Sequence, residues 1–139
     1  YTFHLGNAAI SWESRKQRTV ALSSCEAEYM ALAEASKEAT ALKRILREVT
    51  GVNGAVNLYN DNQGAIALTE NPVHHRRTKH IDIRYHFVRE TVERGDVSIK
   101  YVPTEHMVAD ILTKPLPRQQ VRKFGDLLGL KSPPTPGEC

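Results

Sequence analysis

Cysteine is scarce in this chain: the 139 residues include two, Cys25 and Cys139. The first opens a predicted helix and the second closes a proline-rich tail, so a disulfide framework is excluded and a reducing compartment is expected. No cysteine pair or short-spaced Cys/His set accompanies the histidines, which excludes a structural zinc site. No apolar run approaches the roughly 18 residues of a membrane span, and the N-terminus lacks the basic-then-apolar pattern of a signal peptide. The expectation is a soluble intracellular protein, cytoplasmic or nuclear, with no membrane partner. Internal repeats are absent too. Charge of one sign is in only small excess, at +3 net. That is too little for a purely electrostatic nucleic-acid binder, though compatible with a polyanionic partner. Acids are missing from the N-terminal strand region, where the first is Glu13.

What is present is an ordinary globular composition, 40% hydrophobic and 25% charged, in a length that suits one domain with one core. YTFHL and AISWES read as two strands joined by Gly6-Asn7, a natural hairpin turn. From Ser23 the pattern turns helical. Ser23 and Glu26 form a capping box, Leu42, Ile45, Leu46 and Val49 recur with helical spacing, and Gly51 stops the helix. VNLYND is a buried strand, NQGAIALTEN a short helix closed by Asn71-Pro72. HHRRTKHIDIRYHFVRETVERG begins as a basic loop and becomes an amphipathic helix, with Ile83, Phe87 and Val92 facing inward and Gly95 at its end. VSIKYV alternates as a strand, HMVADILTK follows as a short helix, and a last helix runs from about Pro117 to Leu128. This order predicts an α/β fold with a mixed sheet. The domain spans residues 1–130, and 131–139 form a disordered Pro-rich tail.

Three carboxylates far apart in sequence stand in distinctive settings. Glu28 in SSCEAEYMAL lies about 200° around the helix from the capping Glu26, with no local task of its own; a solvated surface acid is the plain alternative. Asp61 in LYNDNQGAI ends a strand and precedes a helix, where open α/β sheets place ligand-handling groups. Its plain alternative is to cap that helix. Asp110 in VADIL sits in an apolar turn, where burying a lone carboxylate is costly without a partner or a cation. If the three converge, mutual repulsion requires a cation to keep them ionised. Oxygen-only ligands select Mg²⁺ or Mn²⁺, and two such ions can hold the attacking and leaving oxygens of a phosphoryl displacement. The reading is a metal-dependent nuclease.

These segments, with HHRRTKHIDIRYHFVRE, YVPTEHMVADILTKPL and ISWESRKQRTVALSS, resemble the ribonuclease H domain at the C-terminal end of copia-type retrotransposon polyproteins. The resemblance runs from about Tyr1 to Leu130 with the motifs in order. It implies a ribonuclease H-like mixed sheet flanked by helices, and cleavage of the RNA strand of RNA–DNA hybrids with two Mg²⁺ (or Mn²⁺) ions during reverse transcription. Glu28 is then the helix acid, Asp61 the acid ending the central strand and Asp110 the last acid; all three are catalytic metal ligands. The implied partners are the hybrid and the reverse transcriptase portion of the same polyprotein, in a virus-like particle. The family's fourth acid, an aspartate on a central first strand, has no counterpart from Tyr1 onward. The expectation is therefore a domain lacking that strand, weak or inactive by itself, with a catalytically dead nucleic-acid-binding or structural remnant as the alternative. Cys25 and Ala41 replace a small hydroxyl residue and a tryptophan common in the family. His106 is the candidate for an accessory histidine before the last acid.

His74, His75, Arg76, Arg77, Lys79, His80, Arg84, His86 and Arg89 make the densest positive run. Lys79, His80 and Arg84 are candidates for phosphate contacts on a hybrid, whereas Arg89 and Arg94, with Glu90 and Glu93 nearby, suit a solvated helix face. Asn62 and Gln63 are candidates to donate to the nucleic-acid backbone; helix capping competes equally.

Overall fold

The computed structural model describes residues 1–18, 20–70 and 79–131, with the side chains of 79–82 outside the description. The Asn71-Pro72 stop, the His74 to Arg77 run and residues 132–139 of the proline-rich tail lie outside the described residues. The fold is α/β, as expected, and among the described residues the strands form two two-stranded sheets. The chain divides into two compact units, one of residues 18–107 and one of residues 1–17 with 108–139.

In the unit of residues 18–107, helix α1 (Ser24–Thr50) starts where Ser23 accepts a hydrogen bond from the Glu26 amide. The Glu26 carboxylate folds back to accept from the Leu22 amide at 2.6 Å, one residue earlier than the standard capping box. Gly51, with φ of 72°, ends the helix in the left-handed conformation. Strand β3 (Val56–Asn60) pairs in parallel with β4 (Val97–Tyr101), with Leu58 beside Ile99 and Asn60 beside Tyr101. Parallel neighbours need a crossover, which α2 (Gln63–Glu70) and α3 (Lys79–Glu93) supply. Leu58 and Val97 are buried, whereas Tyr59 and Lys100 on the opposite face are exposed.

The buried stripe of α1 comprises Tyr29, Met30, Leu32, Ala33, Ala35, Ser36 and Ala39. Its small residues let α2 and α3 approach, and the Ser36 hydroxyl is satisfied by the Leu32 carbonyl at 2.8 Å. Ile45 and Val49, two of the residues whose spacing marked the helix, are exposed. A helix of 27 residues runs about 40 Å at 1.5 Å per residue, but five-residue strands cover only about 17 Å, so its last turns pass beyond the sheet. On α3, Ile83 is exposed, and Phe87 and Val92 are half-buried; Val88 and Thr91 are the buried residues. That phase is set by Tyr85, whose ring stacks on Tyr29 with centroids 3.9 Å apart. At the far end of α1, Lys43 donates to Asp96 at 3.0 Å and to the Gly95 carbonyl at 2.9 Å. Arg94 donates to the other Asp96 oxygen at 3.0 Å. The Lys43 hydrogen bond, then that of Arg94, holds the Asp96 carboxyl below its ordinary range.

In the other unit, β1 (Thr2–Leu5) and β2 (Ala8–Trp12) form the expected hairpin, Leu5 facing Ala8 across Gly6-Asn7. Gly6 has φ of 63°, the left-handed first position of a tight hairpin turn. Helix α4 (Arg118–Leu127) buries Phe124, and the chain leaving it returns to β2, where the Ala9 amide donates to the Leu128 carbonyl at 3.2 Å. Gly129 makes that return possible: its φ is +79°, and a Cβ there would meet the Ala8 Cβ and the Asn7 carbonyl, each at 3.1 Å. The expected short helix over HMVADILTK is 3₁₀ in character instead: this unit holds the turn Val108–Leu112, and the turn Thr104–His106 belongs to the unit of residues 18–107.

Candidate functional site

Asp61 follows β3 directly, at its carboxyl end. Three asparagine and aspartate side chains compete there for local backbone donors, and the structure divides the work. The buried Asn60 carboxamide oxygen accepts from the Asn62 amide at 2.8 Å, which turns the chain out of the strand. The Asn62 oxygen accepts from the Ala65 amide at 3.0 Å, so Asn62 is the N-cap of α2. Asp61 is thereby released from capping. Its Oδ2 accepts instead from the Thr104 hydroxyl at 2.8 Å. Thr104 follows β4, and because Asn60 pairs with Tyr101, the parallel register carries the loop after β4 past the loop after β3.

The start of α1 packs against the start of α2. A Cβ built on Gly64 would stand 3.2 Å from the Cys25 sulfur and 3.1 Å from the Asn62 oxygen, so a larger residue there would have to push one of these side chains aside by a few tenths of an ångström. Glu28 is three residues on from Cys25, on the same side of α1, and is half-buried. Gln63, the first residue of α2, is exposed. Arg84 on α3 lies 4.0 Å from Glu34 of α1, an ion pair that any phosphate contact would share. Lys79 and His80 open α3; their side chains fall outside the described residues. His106 is exposed, with Nε2 3.4 Å from Glu105.

Asp110 belongs to the other unit, in the Val108–Leu112 turn, and is buried at 7% exposure. Its charge is met by a side chain: the Lys114 ammonium lies 2.9 Å from Oδ1 and 3.0 Å from Oδ2. The Thr113 and Lys114 amides both donate to the Asp110 carbonyl, which folds Lys114 back over the carboxylate. Ser14 fastens the turn by donating to the Leu112 carbonyl at 2.7 Å. Within either unit, no group of three His, Cys, Asp or Glu among the described residues is gathered to hold a metal ion.

Thr104, Lys114 and the Cys25–Gly64 contact were not anticipated. Lys114 carried a signal, its i,i+4 spacing from Asp110; Thr104 became visible only once the strand register was known.

No family model matches the chain, and no solved structure matches it. It is 42% identical over 132 residues, 95% of its length, to a retrovirus-related Pol polyprotein from transposon TNT 1-94 of Nicotiana tabacum. It is 41% identical over 139 residues (99% of the chain) to the Pol polyprotein from transposon RE2, and 41% over 135 residues (96%) to that from transposon RE1, both of Arabidopsis thaliana. The chain spans 10%, 10% and 9% of these relatives in turn. Its homologues over nearly the whole length are thus retrovirus-related Pol polyproteins of transposons.

Proposed function

We propose that the chain is the ribonuclease H domain of a copia-type retrotransposon polyprotein, cleaving the RNA strand of RNA–DNA hybrids. The observation that carries this reading is Asp61: it follows β3 beside a helix start, relieved of capping by Asn62 and oriented by Thr104. The similarity to Pol polyproteins supports the same reading.

Glu28, Asp61 and Asp110 offer carboxylate oxygens alone, a donor set suited to Mg²⁺ or Mn²⁺. Bound divalent ions would supply an activated water and charge stabilisation at the leaving oxygen. The chain's own groups have separate tasks. Thr104 fixes the Asp61 carboxylate, Glu28 is carried by α1, and Asp110 is held in a fastened turn. Asn62, whose oxygen is committed to capping, and Gln63 donate to the nucleic-acid backbone, while Lys79, His80 and Arg84 meet phosphates. His106 is the accessory group for proton movement. The reverse transcriptase portion of the polyprotein is the expected neighbour in the longer protein.

The test is cleavage of an end-labelled RNA–DNA hybrid in Mg²⁺. The 139 residues alone are expected to cleave weakly or not at all, and an added N-terminal strand carrying Asp is expected to restore activity. The same strand carrying Asn separates folding from charge. Strong cleavage by the 139-residue chain, abolished by Asp61→Asn, would show that three acids suffice. An inactive extended chain would count against the nuclease reading itself.

A further inference from the structure

The net charge of the chain is not spread evenly. Residues 1–17 with 108–139 hold seven Lys and Arg against four Asp and Glu, a balance of +3, whereas residues 18–107 hold twelve of each and are neutral. Within the charged unit, Glu13 is met by Arg15 at 3.2 Å and Asp110 by Lys114 at 2.9 Å, so two of its four acids are engaged locally. Helix α4 carries part of the excess: Arg118 and Arg122 are exposed, and neither forms an ion pair with a described residue. Phe124 fixes the inward side of α4. Arg122 lies about 200° around the helix from it, and Arg118 is one turn earlier on the side of Arg122.

The placing of these charges opposes the helix. α4 has no acid in its first turn and no cation in its last; Arg118 stands at its start and Asp126 near its end. A helix dipole favours the reverse order, and two like charges four residues apart repel. Asp126 follows Arg122 by four residues, yet no ion pair joins them. Folding gains nothing from this arrangement, whereas a negative partner on the solvent face relieves both conflicts, and a conflict with a fold's own local rules is where function is expected. Phosphates fit best, because a guanidinium fork binds phosphate oxygens in pairs and the two arginines are about 6 Å apart along the helix. A membrane surface would need a broad apolar face beside the cations, and α4 turns its phenylalanine inward. We infer that the solvent face of α4, through Arg118 and Arg122, is a phosphate-backbone contact surface for the RNA–DNA hybrid, additional to the Lys79 to Arg84 segment. The partner's identity rests on the hybrid-cleaving reading given above; the surface rests on the charges.

The experiment is binding of the 139-residue chain to a fluorescent RNA–DNA hybrid, without divalent ions, from about 50 to 200 mM salt. Each phosphate contact contributes about one to the slope of log affinity against log salt, so Arg118→Gln with Arg122→Gln should flatten the slope by about two. Arg118→Lys with Arg122→Lys keeps the charges and should keep the slope. Arg44→Gln with Arg47→Gln, an equal loss of charge at exposed positions of α1, should leave it unchanged. The Tm of the α4 glutamine pair should be unchanged or higher, because opposing charges leave the helix; if it falls, Arg118→Gln alone is measured, with a flattening of about one expected. An unaltered slope in the α4 variants, or equal flattening by the α1 pair, overturns the inference and leaves the hybrid reading standing. Arginine-dependent binding to phosphatidylserine vesicles, with hybrid binding indifferent to the same arginines, overturns it in favour of a membrane. If the unmodified chain does not bind the hybrid at the lowest salt, the hybrid reading fails and takes the inference with it.

Discussion

Replacing Lys43 by Met should remove a pH-dependent part of the stability of the unit of residues 18–107. Lys43 and Asp96 are largely enclosed, with side chains 16% and 21% exposed. Arg94 is 52% exposed. A charge-assisted hydrogen bond in partial burial contributes about 1.5–3 kcal/mol, whereas the exposed Arg94 pair contributes less than about 1 kcal/mol. Lys43→Met keeps most of the aliphatic packing and removes the donor to both Asp96 and Gly95, so a loss of about 2 kcal/mol is expected near neutral pH. The Asp96 carboxyl is held below its ordinary value of 3.8, chiefly by Lys43 and next by Arg94. A lowered folded-state pKa gives stability that is complete above the unfolded value and is lost as pH falls through the folded value. The Lys43→Met penalty should therefore be full at pH 5–7 and shrink below about pH 4 as Asp96 protonates. Urea unfolding across that range, followed by the change in midpoint at constant slope, measures it. A penalty of equal size at both ends of the range would refute the reasoning.

Three further outcomes are expected. Asn62→Ala should destabilise by about 1 kcal/mol through loss of the α2 cap, while Asn62→Asp, which keeps an acceptor, should be close to neutral; thermal unfolding distinguishes them. Thr104→Val should lower hybrid cleavage by a chain extended with an Asp-bearing N-terminal strand about tenfold by releasing Asp61, with little change in hybrid affinity; a much weaker affinity at unchanged cleavage would argue that Thr104 holds the nucleic acid rather than the acid. Binding to a hybrid should weaken as salt rises, and the slope should flatten when Lys79 and Arg84 are both replaced by Ala; an unchanged slope in a salt titration removes those residues from the phosphate contacts.

Local signals carried the elements well where one residue had one task. Gly6-Asn7 specified the hairpin, Ser23 with Glu26 the start of α1, Gly51 and Gly95 the helix ends, and Pro117 the start of α4. Facing was harder. Ile45, Val49 and Ile83 have the right spacing and the right chemistry, yet they are exposed, because spacing reports which residues share a helix side and not how far the partner surface extends. On α3 a tyrosine stack chose the inward side, and Tyr85 was not a residue that hydropathy would single out.

The acids show the same division between local and distant information. Asp61 and Asn62 are adjacent and both suited to capping, so composition could not say which would be used; the Asn62–Ala65 bond decides it, and only then is Asp61 available for Thr104. For Asp110 the cost of burial was legible from VADIL, and either a partner or a cation could meet it. Lys114 meets it in this structure, four residues downstream. An ammonium and a divalent ion answer the same electrostatic demand, so no pattern of neighbouring residues separates them.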